Sequence, residues 1–152
     1  MKEANIAALS SEAIRYCQLQ KFEKSIKCWE KAIKLKPKFA LLWYHKGVTF
    51  DEMADKLARD QMTMQMYGQI KEQQLQPSAR MYKEALKCFD KAIELNPKDL
   101  KTWHNRGAIL VKLGEFSSDP GFFQLAIECC DKEIELGQTN WELVDPNDND
   151  AW

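Results

Sequence analysis

The most reactive side chains of this chain are five cysteines and two histidines. Three of the cysteines stand at one position of three similar segments. These are KCWEKAIKLKPK (27–38), KCFDKAIELNPK (87–98) and the weaker ECCDKEIELGQT (128–139), and the first two agree at eight of twelve residues. A thiol ladder of Cys28, Cys88 and Cys129 could in principle ligate metal. However, zinc needs every sulfur ~2.3 Å from one ion, and equivalent positions of successive units stand a helix-pair width apart. The cysteines therefore read as small apolar residues packed between helices. Cys129 and Cys130 are adjacent, so on a helix they point apart, and Cys17 is a lone thiol. His45 and His104 belong to no nucleophile–histidine–carboxylate constellation. No GxGxxG, GxxxxGK[ST] or HExxH pattern occurs. The expectation is a protein that is not an enzyme and has no cofactor and no metal.

Two further patterns could carry contacts. Met62, Met64 and Met66, with Met53 and Tyr67, make an unusual run of adaptable apolar side chains. Met62 and Met66 would share a helical face and Met64 would point elsewhere. Packing between two helical arms is the plainer reading, and a sticky surface is the functional one. The carboxylates read mostly as solvated faces paired with lysine, such as Glu30 with Lys34 and Glu84 with Lys87.

The elements that must position these residues are helices. Apolar residues recur at spacings of three and four almost throughout, as in Phe22, Ser25, Ile26, Trp29, Ala32 and Ile33. Leu35 and Pro37 close that helix, because proline disfavours helix before it. Phe89, Ala92, Ile93, Leu95 and Pro97 repeat the pattern. A partner helix precedes each copy, marked by Leu9-Ala13-Tyr16, Trp43-Gly47-Phe50 and Trp103-Gly107-Leu110. The small residue four after the large one lets two helix axes approach.

The whole chain has 152 residues, 45% hydrophobic and 30% charged, with a formal net charge of −1. That balance gives no pull toward nucleic acid or an anionic membrane. No stretch reaches the ~20 apolar residues of a membrane span, and the amino-terminal residues lack the apolar core of a signal peptide. An odd number of cysteines in repeating positions predicts reduced thiols and a cytoplasmic location.

The 34-residue spacing from Leu9 to Trp43, with a large–small–large first helix and an alanine- and proline-marked second helix, resembles the tetratricopeptide repeat. The resemblance implies an all-α, right-handed α-solenoid of three helix-turn-helix repeats in one domain, 1–139. The repeats run about 6–39, 40–99 and 100–139, and 140–152 forms a short cap with an acidic, partly disordered tail. Trp141, Leu143 and Val144 are the expected cap residues. Repeat two is longer by about 26 residues, 53–79, at the turn between its helices. The insert is rich in helix formers, and Pro77-Ser78 marks the start of the next helix. This predicts a projecting hairpin with arms lengthened by about 13 residues, or ~20 Å, each. Ser117 to Gly121 reads as a turn. In the family the position of Ala32 and Ala92 faces the next repeat. Glu133 occupies it in the third copy, where an unpaired carboxylate could not be buried cheaply.

Such proteins receive peptides or helices on the concave face lined by the first helix of each repeat. Carried over, this places Ser10, Ile14, Leu41, Tyr44, His45, Val48, Lys101, His104, Asn105 and Ala108 at the groove. Members that clamp the carboxylate tails of heat-shock chaperones need Lys and Asn on the first repeat and Lys and Arg on the third. Here Ser10 and Ile14 stand on the first, and Asn105 stands where Arg is needed, so chaperone-tail binding is not expected. The expected function is a scaffold for a protein or peptide partner, through the groove, the insert surface (Met62, Met64, Met66, Tyr67) or both. The alternative is homo-oligomerisation through the solenoid ends or the insert.

Overall fold

A computed structural model describes residues 2–67 and 76–141. Among them are six helices and no strand: α1 (Lys2–Gln18), α2 (Phe22–Leu35), α3 (Ala40–Met66), α4 (Gln76–Leu95), α5 (Leu100–Ser117) and α6 (Pro120–Trp141). They pair in sequence, α1 with α2, α3 with α4 and α5 with α6. Each pair packs on the next through α2 with α3 and α4 with α5. The result is a helical solenoid.

The local chemistry explains the turns. α1 stops because Gln20 adopts a left-handed conformation at φ 55°. The Gln20 and Lys21 amides then donate to the carbonyls of Cys17 and Tyr16, which closes a Schellman turn. Ser118, at φ 53°, ends α5 in a similar way. Asp119 then caps α6 by accepting from the Gly121 amide at 2.9 Å, with Pro120 at the first helical position. The turn expected over Ser117–Gly121 is thus confined to Ser118 and Asp119.

Both seams between repeats use the same parts. At the first, Trp43 Nε1 donates to the Pro37 carbonyl at 2.9 Å, and Lys46 pairs with Glu30 at 3.1 Å. At the second, Trp103 Nε1 donates to the Pro97 carbonyl at 2.8 Å, and Arg106 pairs with Asp90 at 2.7 Å. Each cation also lies near its tryptophan ring. Glu30 therefore does not pair with Lys34 as its spacing suggested, because the next repeat brings a cation within reach. Glu84 and Lys87 do pair, at 2.7 Å.

Helix approach within a repeat needs the glycines. A Cβ on Gly47 would stand 2.8 Å from the Phe89 ring, and one on Gly107 would stand 3.2 Å from Cys129 Cβ. Cys28, Cys88 and Cys129 are buried between helices, in the role the repeat pattern suggested.

α3 and α4 are 27 and 20 residues long, against 17 and 14 for α1 and α2. Both helices run past the length of their repeat-one counterparts. α3 runs sixteen residues past Phe50 while α4 starts nine before Ala85. Near the solenoid body the extended parts are packed, with Ala54, Tyr82 and Ala85 buried together. Further out, Met62, Met64, Met66 and Tyr67 are exposed. Residues 68–75 of the insert and Leu143 and Val144 of the expected cap lie outside the described residues.

Candidate functional site

The first helices of the repeats, α1, α3 and α5, carry all the sequence-predicted groove residues. Seven of these ten line two clefts. The first cleft, about 320 Å³, is walled by Ile14, Cys17, Trp29, His45, Val48 and Glu52. The second, about 350 Å³, is walled by Tyr44, Lys101, His104, Asn105 and Glu133. Tyr44 and His45 are adjacent on α3 and divide the two. Ser10 and the exposed Leu41 and Ala108 sit on the same helices but line neither cleft. Leu41 is one turn before His45 and Ala108 one turn after His104, so each lies on the same face but is displaced along its helix axis.

The floor of the first cleft is aromatic and ordered. The His45 ring stacks on Trp29 with centroids 5.2 Å apart and planes 10° from parallel, and Tyr44 meets His45 edge-on. Trp29 Nε1 donates to Thr49 Oγ1 at 3.0 Å, and Thr49 donates to the His45 carbonyl. Burial holds the His45 imidazole below its ordinary range, so it is neutral near pH 7. At the rim, the Cys17 thiol donates to Glu52 at 3.0 Å. Burial, with the Glu52 carboxylate beside it, pushes the Cys17 thiol up to about 12. Cys17 is therefore a neutral donor and not a thiolate nucleophile. This cleft offers an apolar, π-faced floor with one carboxylate at its edge.

The second cleft is polar. Asn105 Nδ2 donates to the Tyr44 hydroxyl at 3.2 Å, which ties α5 to α3. His104 Nδ1 lies 3.2 Å from Glu133 Oε2. Glu133 thus finds a partner on its own repeat and lines the cleft. Lys101 is exposed at the rim.

A charged cluster fixes the spacing of α3 and α5. Lys112 Nζ pairs with Asp51 at 2.7 Å and with Asp55 at 2.8 Å, and the Tyr82 hydroxyl donates to Asp55 at 2.6 Å. Burial raises the Asp51 carboxyl. Burial pushes Asp55 the same way, but Lys112 and Tyr82 outweigh it and hold Asp55 below its usual value. Sequence reading missed this cluster, since its members are 57 and 27 residues apart in the chain. It also missed Trp29, Cys17 and Glu52, which no first-helix pattern singles out. Among the described residues no group of three or more potential ligands could hold a metal ion, and no helix is long and apolar enough to cross a membrane.

Comparison with known proteins places this architecture. A family profile described as "TPR repeat" matches residues 15–53 and 81–114. Two crystal structures of MamA superpose with TM-scores of 0.64 and 0.63 at 14% identity, covering 90% and 93% of this chain. The chain spans 61% of the length of those MamA chains. The second TPR of Spaghetti (RPAP3), solved with the HSP90 peptide SRMEEVD, superposes at 0.59 with 17% identity. That match covers 89% of this chain and 96% of the other. At such identities the likeness is one of fold, and it agrees with the matched profile and the paired helices: residues 15–53 and 81–114 of this chain are tetratricopeptide repeats.

Proposed function

We propose that the chain is a protein-interaction scaffold that receives a peptide or helical segment of a partner along its concave groove. The observation that carries this reading is the convergence of residues from α1, α3 and α5 on two clefts that meet at Tyr44 and His45. A segment crossing that divide would seat an apolar side chain over His45 and Trp29. It would place polar groups beside Lys101, His104 and Asn105. A pre-formed surface of this kind needs little ordering on binding. The solved peptide complex of the Spaghetti (RPAP3) domain supports the mode, while the residues here suit a less acidic ligand. The unpaired cysteines fit a reducing, cytoplasmic setting.

The test is a pull-down from lysate with the intact chain and with His45→Ala. Replacing His45 should weaken a groove partner by about 1 kcal/mol or more. Undiminished capture removes the groove from the reading. Exposure of Met62 at 65% and Met66 at 80% favours a second surface, the insert, for a partner or a second copy of the chain. Light scattering over a concentration series, with Met62→Ser/Met66→Ser alongside, tests self-association there. A constant monomer mass would exclude it.

A further inference from the structure

We propose that the first cleft selects a lysine or arginine side chain of the polypeptide held in the groove, and that Glu52 is the residue that sets this selection. The inference rests on the groove reading above and names the chemistry that its first cleft takes.

The cleft changes character along its length. His45, Val48 and Glu52 follow one another on a single face of α3. They span about 10 Å of helix axis from first to last. The His45 end is apolar, with a neutral ring stacked on Trp29, the half-buried Val48, and Ile14 44% exposed across from them. The Glu52 end is anionic. Cys17 and Gln18 also wall the cleft, and they are the last two residues of α1. The carbonyl end of that helix, with its negative partial charge, therefore lies on the same side as the carboxylate.

Glu52 is not satisfied from within the described residues. A carboxylate has about four acceptor sites, and here the Cys17 thiol donates to one oxygen at 3.0 Å. Glu52 is exposed and has no ion pair among the described residues. The neighbouring cations are committed elsewhere. Lys56, one turn along α3, pairs with Asp60 at 2.8 Å. Lys112 is held by Asp51 and Asp55, and Arg15 of α1 lies over the Tyr16 ring.

An apolar trough that ends at an open carboxylate fits one kind of side chain. Lysine and arginine carry a methylene stem and a charged head. The stem takes the apolar place over His45 and Val48, and the head reaches Glu52. A purely apolar side chain would cover Glu52 and leave it without a partner, which is costly. An acidic side chain would meet like charge.

The probe is a phage-displayed library of random short peptides, panned on the full chain, on Glu52→Gln and on Glu52→Lys. Glu52→Gln keeps an acceptor for Cys17 and removes the charge at an exposed position. Enrichment of lysine or arginine beside aliphatic residues on the full chain, lost on Glu52→Gln and turned to acidic residues on Glu52→Lys, supports the proposal. The leading peptide, labelled for fluorescence anisotropy, should bind Glu52→Gln about tenfold more weakly than the full chain. It should bind Glu23→Gln, which removes an exposed carboxylate of α2, as well as the full chain. Peptides that need His45 but are indifferent to Glu52→Gln overturn the proposal and leave the groove reading standing. Peptides that bind His45→Ala as well as the full chain overturn both. An equal loss in Glu23→Gln assigns the preference to overall charge, and that result, or no enrichment, also overturns the proposal.

Discussion

Trp29 and Thr49 show how one hydrogen bond can define a seam. The indole N–H of Trp29 has Thr49 as its acceptor, inside the protein. At the corresponding place in the next seam the pair is Phe89 and Ile109, both fully buried, and no donor needs satisfying. Removing one member of a buried pair costs more than changing both. Thr49→Val should therefore destabilise by about 1–3 kcal/mol, and Thr49→Val with Trp29→Phe should cost less than the two single changes summed. Urea midpoints of the four proteins give the coupling directly, and strict additivity would show that the hydrogen bond contributes nothing. His45, stacked on the same ring, adds a pH effect. Its proton affinity is lowered by burial, so as pH falls below about 6.5 the unfolded chain takes up the proton first. Stability then falls on acidification, because the unfolded state binds more protons in that window. In His45→Phe the loss of midpoint between about pH 7.5 and 5.5 should be smaller; an equal loss would place its origin elsewhere. The identity of these residues was legible in the sequence, but their partnership was not. Tyr44, His45 and Lys101 could be assigned to a groove from position on the first helix of a repeat. Trp29 could not, because it sits on a second helix and reaches the cleft only by crossing the seam.

Helix ends and helix–helix spacers carry the next level. Gln20 holds a left-handed conformation that costs an L-residue with a Cβ roughly 1 kcal/mol, and its side chain is exposed. Gln20→Gly should raise stability by about that much, less the extra freedom glycine gains when unfolded. A lowered melting temperature would show that the side chain makes a contact worth more than the strain. The Lys112 cluster joins three helices. Lys112→Met leaves two partly buried carboxylates without their cation, and should cost about 1–3 kcal/mol at pH 7. The cost should shrink in acid, as Asp55, whose proton affinity is depressed in the folded state, loses its charge. A cost unchanged between about pH 7 and pH 3 would show that the apolar stem of Lys112, and not its charge, holds α3 to α5. Helix existence and repeat register were readable here because periodicity and the Trp–Gly and Ala–Pro marks are local signals. The length of α3 past Phe50 was not, since helix formers fill the insert throughout and composition alone sets no end point. Lys112 was not, because its partners come together only once three helices have packed.

At the scale of the molecule, stability in a solenoid is the sum of units and their seams. Arg106→Ala removes the ion pair to Asp90 and the hydrogen bond to Cys129. It should speed amide exchange in α5 and α6 by several-fold while leaving α1 and α2 near their original protection. Uniform acceleration along the chain would mean that the array unfolds as one unit. The sequence announced the number of repeats and their order, since the repeated segments can be counted. It did not announce that the seams differ inside. That difference has a consequence for how such a chain can change. Trp29 meets a hydroxyl and Phe89 meets an aliphatic side chain, so the units are keyed and not interchangeable. Transposing two repeats, or splicing in a copy of either, would set an indole N–H against Ile109 or leave Thr49 facing a bare phenyl ring. The array carries its own proofreading against recombination.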